Sequence, residues 1–260
     1  MENVLKNWVI ITGASSGIGK SFADKFANMG YNLILIARNI ESLLQLKQKY
    51  LLNNIKTEII VQDLSKKEWI KQTEDLIKDK RIDYLINNAG FGLTGEFISQ
   101  NINTLEDMIN VNCLTVVLLT KIVLPNMLKF GKGNIIIIGS LLSFVPSPYN
   151  TVYAATKSFD EMLACGLWYE LKKYNINVIS VNPGTTRTNF HERAGLTMNK
   201  FYRNPEDVVN TALKYLGKKP TVIDGFFNKT VLLIKHIVTR KIFIKLSGII
   251  FNKMQKLNET

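Results

Sequence analysis

The chain has 260 residues, of which 46% are apolar, and its 33 Lys and Arg outnumber 21 Asp and Glu to give a formal net charge of +12. This composition excludes a disordered chain, and the two cysteines, Cys113 and Cys165, have no metal-ligand spacing and indicate a reducing compartment without disulfides. The charge is compatible with nucleic acid, anionic lipid or an acidic substrate, but no zinc-finger spacing or RNA-binding aromatic pattern favours nucleic acid. Without an uninterrupted apolar run of about 18 residues or room for a signal peptide before the first strand, we expect a cytoplasmic protein without a spanning helix.

Short apolar, β-branched runs alternate with longer amphipathic stretches along the chain. Strands are predicted at 8–12, 32–37, 58–62, 84–87, 134–139 and 177–181, and helices at 20–29, 40–52, 66–79, 104–130 and 153–174. Strands that are apolar on both faces belong to a parallel sheet covered by helices. The alternation therefore predicts an α/β fold, a single-domain, doubly wound (Rossmann-type) parallel sheet with helices on both faces. Residues 1–225 form this predicted domain, and residues 226–260 form its amphipathic C-terminal extension.

A glycine-rich turn follows the first predicted strand and opens the first helix, reading Gly13-Ala-Ser-Ser-Gly17-Ile-Gly19. Glycines let the backbone approach a pyrophosphate, and the helix N-terminus supplies free N–H groups and a positive dipole end. A tight turn without a ligand is the alternative interpretation. The strand–turn–helix context favours a phosphate site made by Gly13, Ser15, Ser16, Gly17, Ile18 and Gly19.

Tyr153 and Lys157 stand four residues apart at the start of a predicted helix and therefore share one face. A cation beside a phenol favours the phenolate and lowers the pKa of the tyrosine. The pair would then be a proton donor and acceptor suited to carbonyl or alcohol chemistry. In the alternative interpretation, Tyr153 packs in the core and Lys157 is solvated.

Four motifs in one order, Thr12-Gly13-xxx-Gly17-x-Gly19, Asn87-Asn88-Ala89-Gly90, Tyr153-xxx-Lys157 and Pro183-Gly184, resemble the classical subgroup of the short-chain dehydrogenase/reductase family. The resemblance covers roughly residues 5 to 215 and implies a catalytic role for four side chains. Tyr153 would exchange the proton, and Lys157 would lower its pKa and bind the nicotinamide ribose. Ser140 would hold the substrate oxygen, with Ser143 as its nearby competitor. Asn112, a better match than Asn110, would kink its helix and hold a water in a proton relay.

The resemblance also implies a nicotinamide cofactor, and the end of the second strand indicates which one. The sequence there is Ile36-Ala37-Arg38-Asn39, which offers no carboxylate for ribose hydroxyls but a guanidinium for a 2′-phosphate. We therefore expect NADPH/NADP. The implied cofactor-binding set is completed by Asp63 at the adenine, Asn88, Ala89 and Gly90 in the cleft, Pro183 and Gly184 after the sixth strand, and Thr188 at the carboxamide.

Apolar residues follow the motifs that line the substrate cleft in this family, namely Phe91, Leu93, Leu141, Leu142 and Phe144, with Tyr149 and Phe190 as further candidates. They favour an apolar substrate, and core packing is the alternative for each. The segment 226–256 contains seven Lys or Arg and no acid, with apolar residues interleaved at near-helical spacing. It is expected to contact a membrane as a peripheral element through 226–257, to cover the cleft, or to pack on a second subunit.

The expected function is reversible, NADPH-dependent reduction of an apolar carbonyl, a ketone or 3-oxoacyl-type group, to an alcohol, in a homodimer or homotetramer. The alternative is a non-catalytic NADPH-binding sensor or scaffold with the same fold. The complete set of Asn112, Ser140, Tyr153 and Lys157 favours the enzyme, because a binding module does not need all four.

Overall fold

The computed structural model describes residues 7–188, 190, 202–226, 228–230, 232 and 238–256. Seven parallel strands form one sheet, in the order β3-β2-β1-β4-β5-β6-β7. They are β1 (Asn7–Thr12), β2 (Asn32–Ala37), β3 (Thr57–Val61), β4 (Arg81–Asn87), β5 (Gly133–Ile138), β6 (Ile176–Asn182) and β7 (Thr221–Ile223). The strand order reverses between β1 and β4, which is where doubly wound sheets open a crevice for ligands.

Helices cover both faces of this sheet, as predicted. They are α1 (Gly17–Asn28), α2 (Ile40–Leu51), α3 (Glu68–Ile77), α4 (Ile102–Ile109), α5 (Thr115–Lys129), α6 (Thr151–Leu171), α7 (Pro205–Tyr215) and α8 (Arg240–Lys256). Helices α1, α2 and α7 contribute to one apolar cluster, and α3, α5 and α6 to the other. The predicted fold class, with a helical C-terminal extension, is confirmed.

The central strand β1 shows why nearly continuous apolar runs were the right signal. Val9 and Ile11 pack into the first cluster, whereas Trp8 and Ile10 pack into the second. Successive side chains of a strand point to opposite faces. Because both faces are covered, every position from Trp8 to Ile11 is apolar rather than every second one.

Helices α4 and α5 are continuous with each other through a π-helical turn, Asn110–Leu114, where the sequence predicted one uninterrupted helix. By length and composition alone, the whole stretch Ile102–Lys129 could cross a bilayer, which the sequence expectation of no spanning helix did not foresee. Its most apolar window has a mean hydropathy of 1.8 and is 44% buried within the fold. Leu119, Val123 and Met127 pack in the core beneath the sheet.

Two elements after residue 183 were not predicted. Helix α7 begins at Pro205 with Glu206 and Asp207 in its first turn, which is a recognisable start signal. Strand β7 has only three residues, too few for a periodic pattern.

Candidate active site

The glycine turn forms a close-packed cradle at the carboxyl end of β1. Gly13 and Gly17 have φ of 64° and 55°, values that L side chains rarely adopt. A Cβ at Gly13 would lie 2.8 Å from Asn88 Nδ2, and one at Gly17 would lie 2.8 Å from Thr188 Cγ2. Helix α1 begins at Gly17, so its free N–H groups are at this cradle.

Gly19 is not among the lining residues of the cleft, and a Cβ there would collide with the backbone carbonyl of Gly13. Its lack of a side chain lets α1 pack against the turn. The predicted contact of Gly19 with the cofactor stays a prediction.

The loop after β4 is tied to the end of β1. Thr12 Oγ1 accepts hydrogen bonds from the backbone N–H groups of Asn88 and Ala89, both at 2.9 Å. Asn88 Nδ2 donates to Thr12 O at 2.9 Å. These bonds hold the motif that begins at Thr12 against the motif that contains Asn88, at the place where the strand order reverses between β1 and β4.

A single cleft of about 640 Å³ brings most of the predicted site residues together. The predicted cofactor residues that line it are Gly13, Ser15, Ser16, Gly17, Ile18, Arg38, Asp63, Asn88, Ala89, Gly90, Pro183, Gly184 and Thr188. Ser140, Tyr153 and Lys157 line the same cleft, whereas Asn112 lies behind it. Residues more than 170 positions apart in sequence thus meet at one edge of the sheet.

Tyr153 and Lys157 lie on the first turns of α6, and both are buried, with 9% and 4% of their surface exposed. Burial raises the pKa of the Tyr153 phenol, while the Lys157 ammonium and a hydrogen bond from Ser140 oppose the increase only in part. The expected direction of the lysine effect is correct. The expected net lowering is wrong for this protein without ligand, because desolvation outweighs the cation.

Lys157 is held by two acceptors of the fold. Its Nζ donates to Ile138 O at 2.9 Å and to Asp160 Oδ2 at 2.9 Å. Burial lowers the pKa of Lys157, but the charges of Asp160 and Tyr153 more than offset it, and the pKa lies above its usual value. Asp160 was missed in the sequence, although its spacing of three residues from Lys157 places both on one helix face.

Ser140 follows β5 by two residues and caps the 3-10 turn Leu141–Phe144. Its Oγ accepts from Leu142 N at 3.1 Å, which leaves the hydroxyl proton free to be donated towards the cleft. The capping role and the site position therefore coexist. Ser143 helps to hold Ser140 in place, because Ser143 Oγ accepts from Ser140 N at 3.2 Å and donates to Asn182 Oδ1 at 3.0 Å.

Asn112 is fully buried within the π-helical turn. Its Oδ1 accepts from Phe91 N at 3.1 Å, and its Nδ2 donates to Phe91 O at 2.9 Å. A Cβ at Gly90 would lie 3.1 Å from Asn112 Oδ1 and 3.4 Å from Lys157 Nζ, so Gly90 separates the two. The predicted helix distortion is present at this asparagine, and its relay role stays a prediction.

Arg38 follows β2 at the open rim of the cleft, with 67% of its side chain exposed. Its nearest carboxylate is that of Asp63, with 3.9 Å between Arg38 Nη1 and Asp63 Oδ2. Asp63 Oδ1 accepts from Ser65 N at 2.9 Å. An exposed pair at this separation is weak, so the guanidinium remains available to an anion in the cleft.

The end of the cleft beyond Tyr153 is apolar. Phe91, Leu141, Leu142 and Phe190 line it as predicted, and Phe190 packs against the Tyr153 ring at a centroid distance of 5.5 Å. Of the other candidates, Phe144 lines a second cavity, and Leu93 and Tyr149 are not among the lining residues of the cleft. Phe251 of α8 also lines the cleft, which the sequence did not identify.

Comparison with known proteins places this site in a family. The protein-family model described as short chain dehydrogenase matches residues 7–199 of this chain. The chain belongs to the short-chain dehydrogenase family. It is 32% identical to hydroxysteroid dehydrogenase-like protein 1 of Gallus gallus, over 81% of this chain and 65% of the relative. It is also 32% identical to the very-long-chain 3-oxoacyl-CoA reductase of Coccidioides immitis, over 82% and 62%.

Among solved structures, a short-chain dehydrogenase from Sphingobium yanoikuyae in complex with NADPH aligns with a TM-score of 0.78 at 33% identity. The alignment covers 84% of this chain and 87% of that structure. By contrast, the chain spans less than two thirds of the length of the two curated relatives named above. The predicted oxidoreductase family is confirmed.

This short-chain dehydrogenase holds two free cysteines, and burial raises the pKa of Cys113 to about 12 and that of Cys165 to about 11. Both thiols are therefore protonated at neutral pH. Within the described part of the chain, no group of three or more His, Cys, Asp or Glu side chains has the arrangement of a metal site.

Proposed function

We propose that this short-chain dehydrogenase reduces an apolar carbonyl to an alcohol with NADPH. The observation that carries the proposal is the group formed by the Tyr153 phenol, the Ser140 hydroxyl and the Lys157 ammonium in one cleft with the glycine cradle. A phenol that keeps its proton at neutral pH, beside the Ser140 hydroxyl, suits protonation of a carbonyl oxygen.

Ser140, Tyr153 and Lys157 have different roles around the carbonyl oxygen. Ser140, whose Oγ already accepts from Leu142 N, donates a hydrogen bond to the oxygen and orients the carbonyl. Tyr153 transfers its own proton to the same oxygen as negative charge develops there. Lys157 stabilises the resulting phenolate, and bound NADPH supplies the hydride.

The cradle fits a dinucleotide on geometric grounds. Gly13 and Gly17 leave no room for a Cβ, and the free N–H groups of α1 are at the turn. These features suit a pyrophosphate. Arg38, at the rim and only weakly paired with Asp63, would bind a 2′-phosphate, and this supports NADPH over NADH.

The apolar end of the cleft favours a long-chain or bulky carbonyl compound. Phe91, Leu141, Leu142, Phe190 and Phe251 offer no charged group to a substrate. The similarity to a very-long-chain 3-oxoacyl-CoA reductase supports a 3-oxoacyl substrate as the first candidate. A bulky ketone is the second.

Helix α8 joins this cleft to an exposed apolar face. On its inner side, Ser247 Oγ donates to Pro146 O at 3.4 Å, and Phe251 reaches the cleft. On its outer side, Ile242, Leu246, Ile249 and Ile250 recur at helical spacing and are 48%, 48%, 66% and 58% exposed. Exposed Lys241 and Lys245 adjoin this stripe.

We propose that this outer face of α8 contacts an anionic membrane and that an apolar substrate enters the cleft from it. An apolar stripe beside cations is the pattern of a helix lying in a membrane interface. The position of Phe251 among the lining residues supports a second role for α8, as a cover of the cleft. A homodimer or homotetramer and a cytoplasmic location stay predictions.

The experiment that tests the reaction is NADPH consumption by the purified protein across ketones, aldehydes and 3-oxoacyl thioesters of increasing chain length. Turnover that improves with chain length supports the proposal. NADPH binding without turnover of any carbonyl would favour the sensor or scaffold alternative.

A further inference from the structure

A carboxylate lies directly behind the site lysine. Asp160 has none of its surface exposed, and its Oδ2 accepts from Lys157 Nζ at 2.9 Å. Its Oδ1 is buried without a hydrogen-bond partner among the described residues. The carboxylate therefore has Lys157 as its polar partner rather than a local network of its own.

A buried acid is costly unless it is paired, so its position needs a reason. Asp160 offers its charge to a lysine that is itself 4% exposed and that otherwise bonds only to the neutral carbonyl of Ile138 in the described part of the chain. The pair is formed within one helix, at a spacing of three residues. Lys157 lines the cleft, and Asp160 lies behind it, away from solvent.

The ion pair also changes what Lys157 does to Tyr153. An unpaired ammonium would stabilise the phenolate strongly, whereas an adjacent carboxylate offsets that field. Burial is the main cause of the raised pKa of Tyr153, the charge of Lys157 opposes it, and the charge of Asp160 adds a smaller increase. Cys113, from the π-helical turn packed against α6, is the titratable group that a neighbouring element adds, and its raised pKa keeps it neutral.

We propose that Asp160 is a positioning residue that acts as the counter-ion of Lys157 and keeps Tyr153 in its proton-bearing form. This deepens the proposed reaction, and it rests on that reaction for its consequence. A phenol with a raised pKa keeps its proton at neutral pH, so the phenolate that the reverse oxidation needs is scarcer there.

The test measures the titration of Tyr153 directly and needs no substrate. The protein is labelled with tyrosine carrying ¹³C at Cζ, and the Tyr153 resonance is assigned by its loss in Tyr153→Phe. In Asp160→Asn, which keeps the size of the side chain and removes its charge, the midpoint of the Tyr153 titration should fall by about one pH unit, a tenfold change in the phenolate-to-phenol ratio. Glu170→Gln is the control, because it removes the same charge from an exposed position of α6 and should leave the midpoint unchanged.

Folding of each variant is checked by circular dichroism and by NADPH binding. If Asp160→Asn does not fold, Asp160→Ser replaces it, since its smaller side chain leaves room for water beside Lys157. A folded variant of either kind that titrates at the wild-type midpoint overturns the proposal. Failure of both to fold, with folding restored by Asp160→Glu, would assign Asp160 to structure alone and overturn it as well.

The catalytic consequence separates this inference from the proposed reaction. With any carbonyl that the wild type reduces, Asp160→Asn should raise the ratio of oxidation to reduction kcat at neutral pH by about tenfold. If no carbonyl is reduced, the proposed function fails, and the tyrosine titration still decides the role of Asp160.

Discussion

Asn182 holds Ser140 in place from the neighbouring strand, with 3.0 Å between Ser140 N and Asn182 Oδ1. The amide of Asn182 donates in turn to Glu161 Oε2 at 2.8 Å, and that carboxylate is buried on α6. One side chain thus links the end of β5 to the helix that carries Tyr153 and Lys157.

Asn182→Leu should therefore lower kcat as well as stability. It leaves the N–H of Ser140 and the carboxylate of Glu161 without this partner, at a cost of about 1–3 kcal/mol in the free energy of unfolding. Urea unfolding and steady-state kinetics measure the two effects. Asn177→Leu is the control, because Asn177 bonds to Asn134 at the far end of β6 and should lose stability while keeping kcat. Equal kcat values in both variants would remove Asn182 from the support of Ser140.

Arg38 should set the choice of cofactor. Arg38→Asp removes a partner of the 2′-phosphate and adds a carboxylate that repels phosphate, so preference should move from NADPH towards NADH. One charge-assisted contact is worth about 1.5–3 kcal/mol, or roughly ten- to a hundredfold in Kd. Fluorescence titration with both cofactors measures the change, and Arg38→Ala separates the lost attraction from the added repulsion. Equal affinities of the wild type for NADPH and NADH would contradict this role.

The raised pKa of Tyr153 predicts the pH dependence of the two directions. Reduction needs the protonated phenol, and because burial places the pKa above its ordinary value, kcat for reduction should hold through neutral pH and fall only above pH about 10. Oxidation needs the phenolate and should rise over the same alkaline range. Initial rates at saturating cofactor from pH 6 to 10.5 measure both. A reduction rate that is already falling near pH 7 would show that Tyr153 is not the proton donor.

Much of this architecture can be predicted from the sequence, because strand composition, turn glycines and helical spacing are local properties. Most positions of the six longer strands are apolar, and Gly13 and Gly17 of the first turn lie where φ is positive and a Cβ would clash. Tyr153 and Lys157 are one helical turn apart, so their common face follows from spacing alone.

The remaining features depend on contacts between distant parts of the chain. The bond from Asn182 to Glu161 spans 21 residues, and the one from Ser247 to Pro146 spans 101. No sequence periodicity predicts either contact. The position of Phe251 in the lining of the cleft could not be predicted from periodicity either. The spacing of three residues could have predicted that Asp160 pairs with Lys157. The full burial of Asp160 could not be predicted, because it depends on which residues cover the helix.

The outer face of α8 should bind anionic membranes. Each cation near such a surface contributes about 1 kcal/mol, and salt screens it. The full-length protein should cosediment with vesicles of phosphatidylserine and phosphatidylcholine, less with phosphatidylcholine alone, and less at high salt. Ile249→Glu should weaken binding, whereas Leu51→Glu, which changes a leucine at the end of α2 that is 67% exposed against 66% for Ile249, should bind like the wild type. No cosedimentation at low salt would leave α8 as a cover of the cleft.

The most direct test of the proposed reaction compares the wild type with Tyr153→Phe on the best carbonyl substrate of the panel. The substitution removes the phenolic proton and keeps the ring that packs against Phe190. NADPH affinity should stay within about twofold, a change of less than ~0.5 kcal/mol, while kcat for NADPH oxidation should fall by at least about a hundredfold. A Tyr153→Phe protein that binds NADPH normally and keeps more than about a tenth of the wild-type kcat would contradict the assignment of Tyr153 as the proton donor.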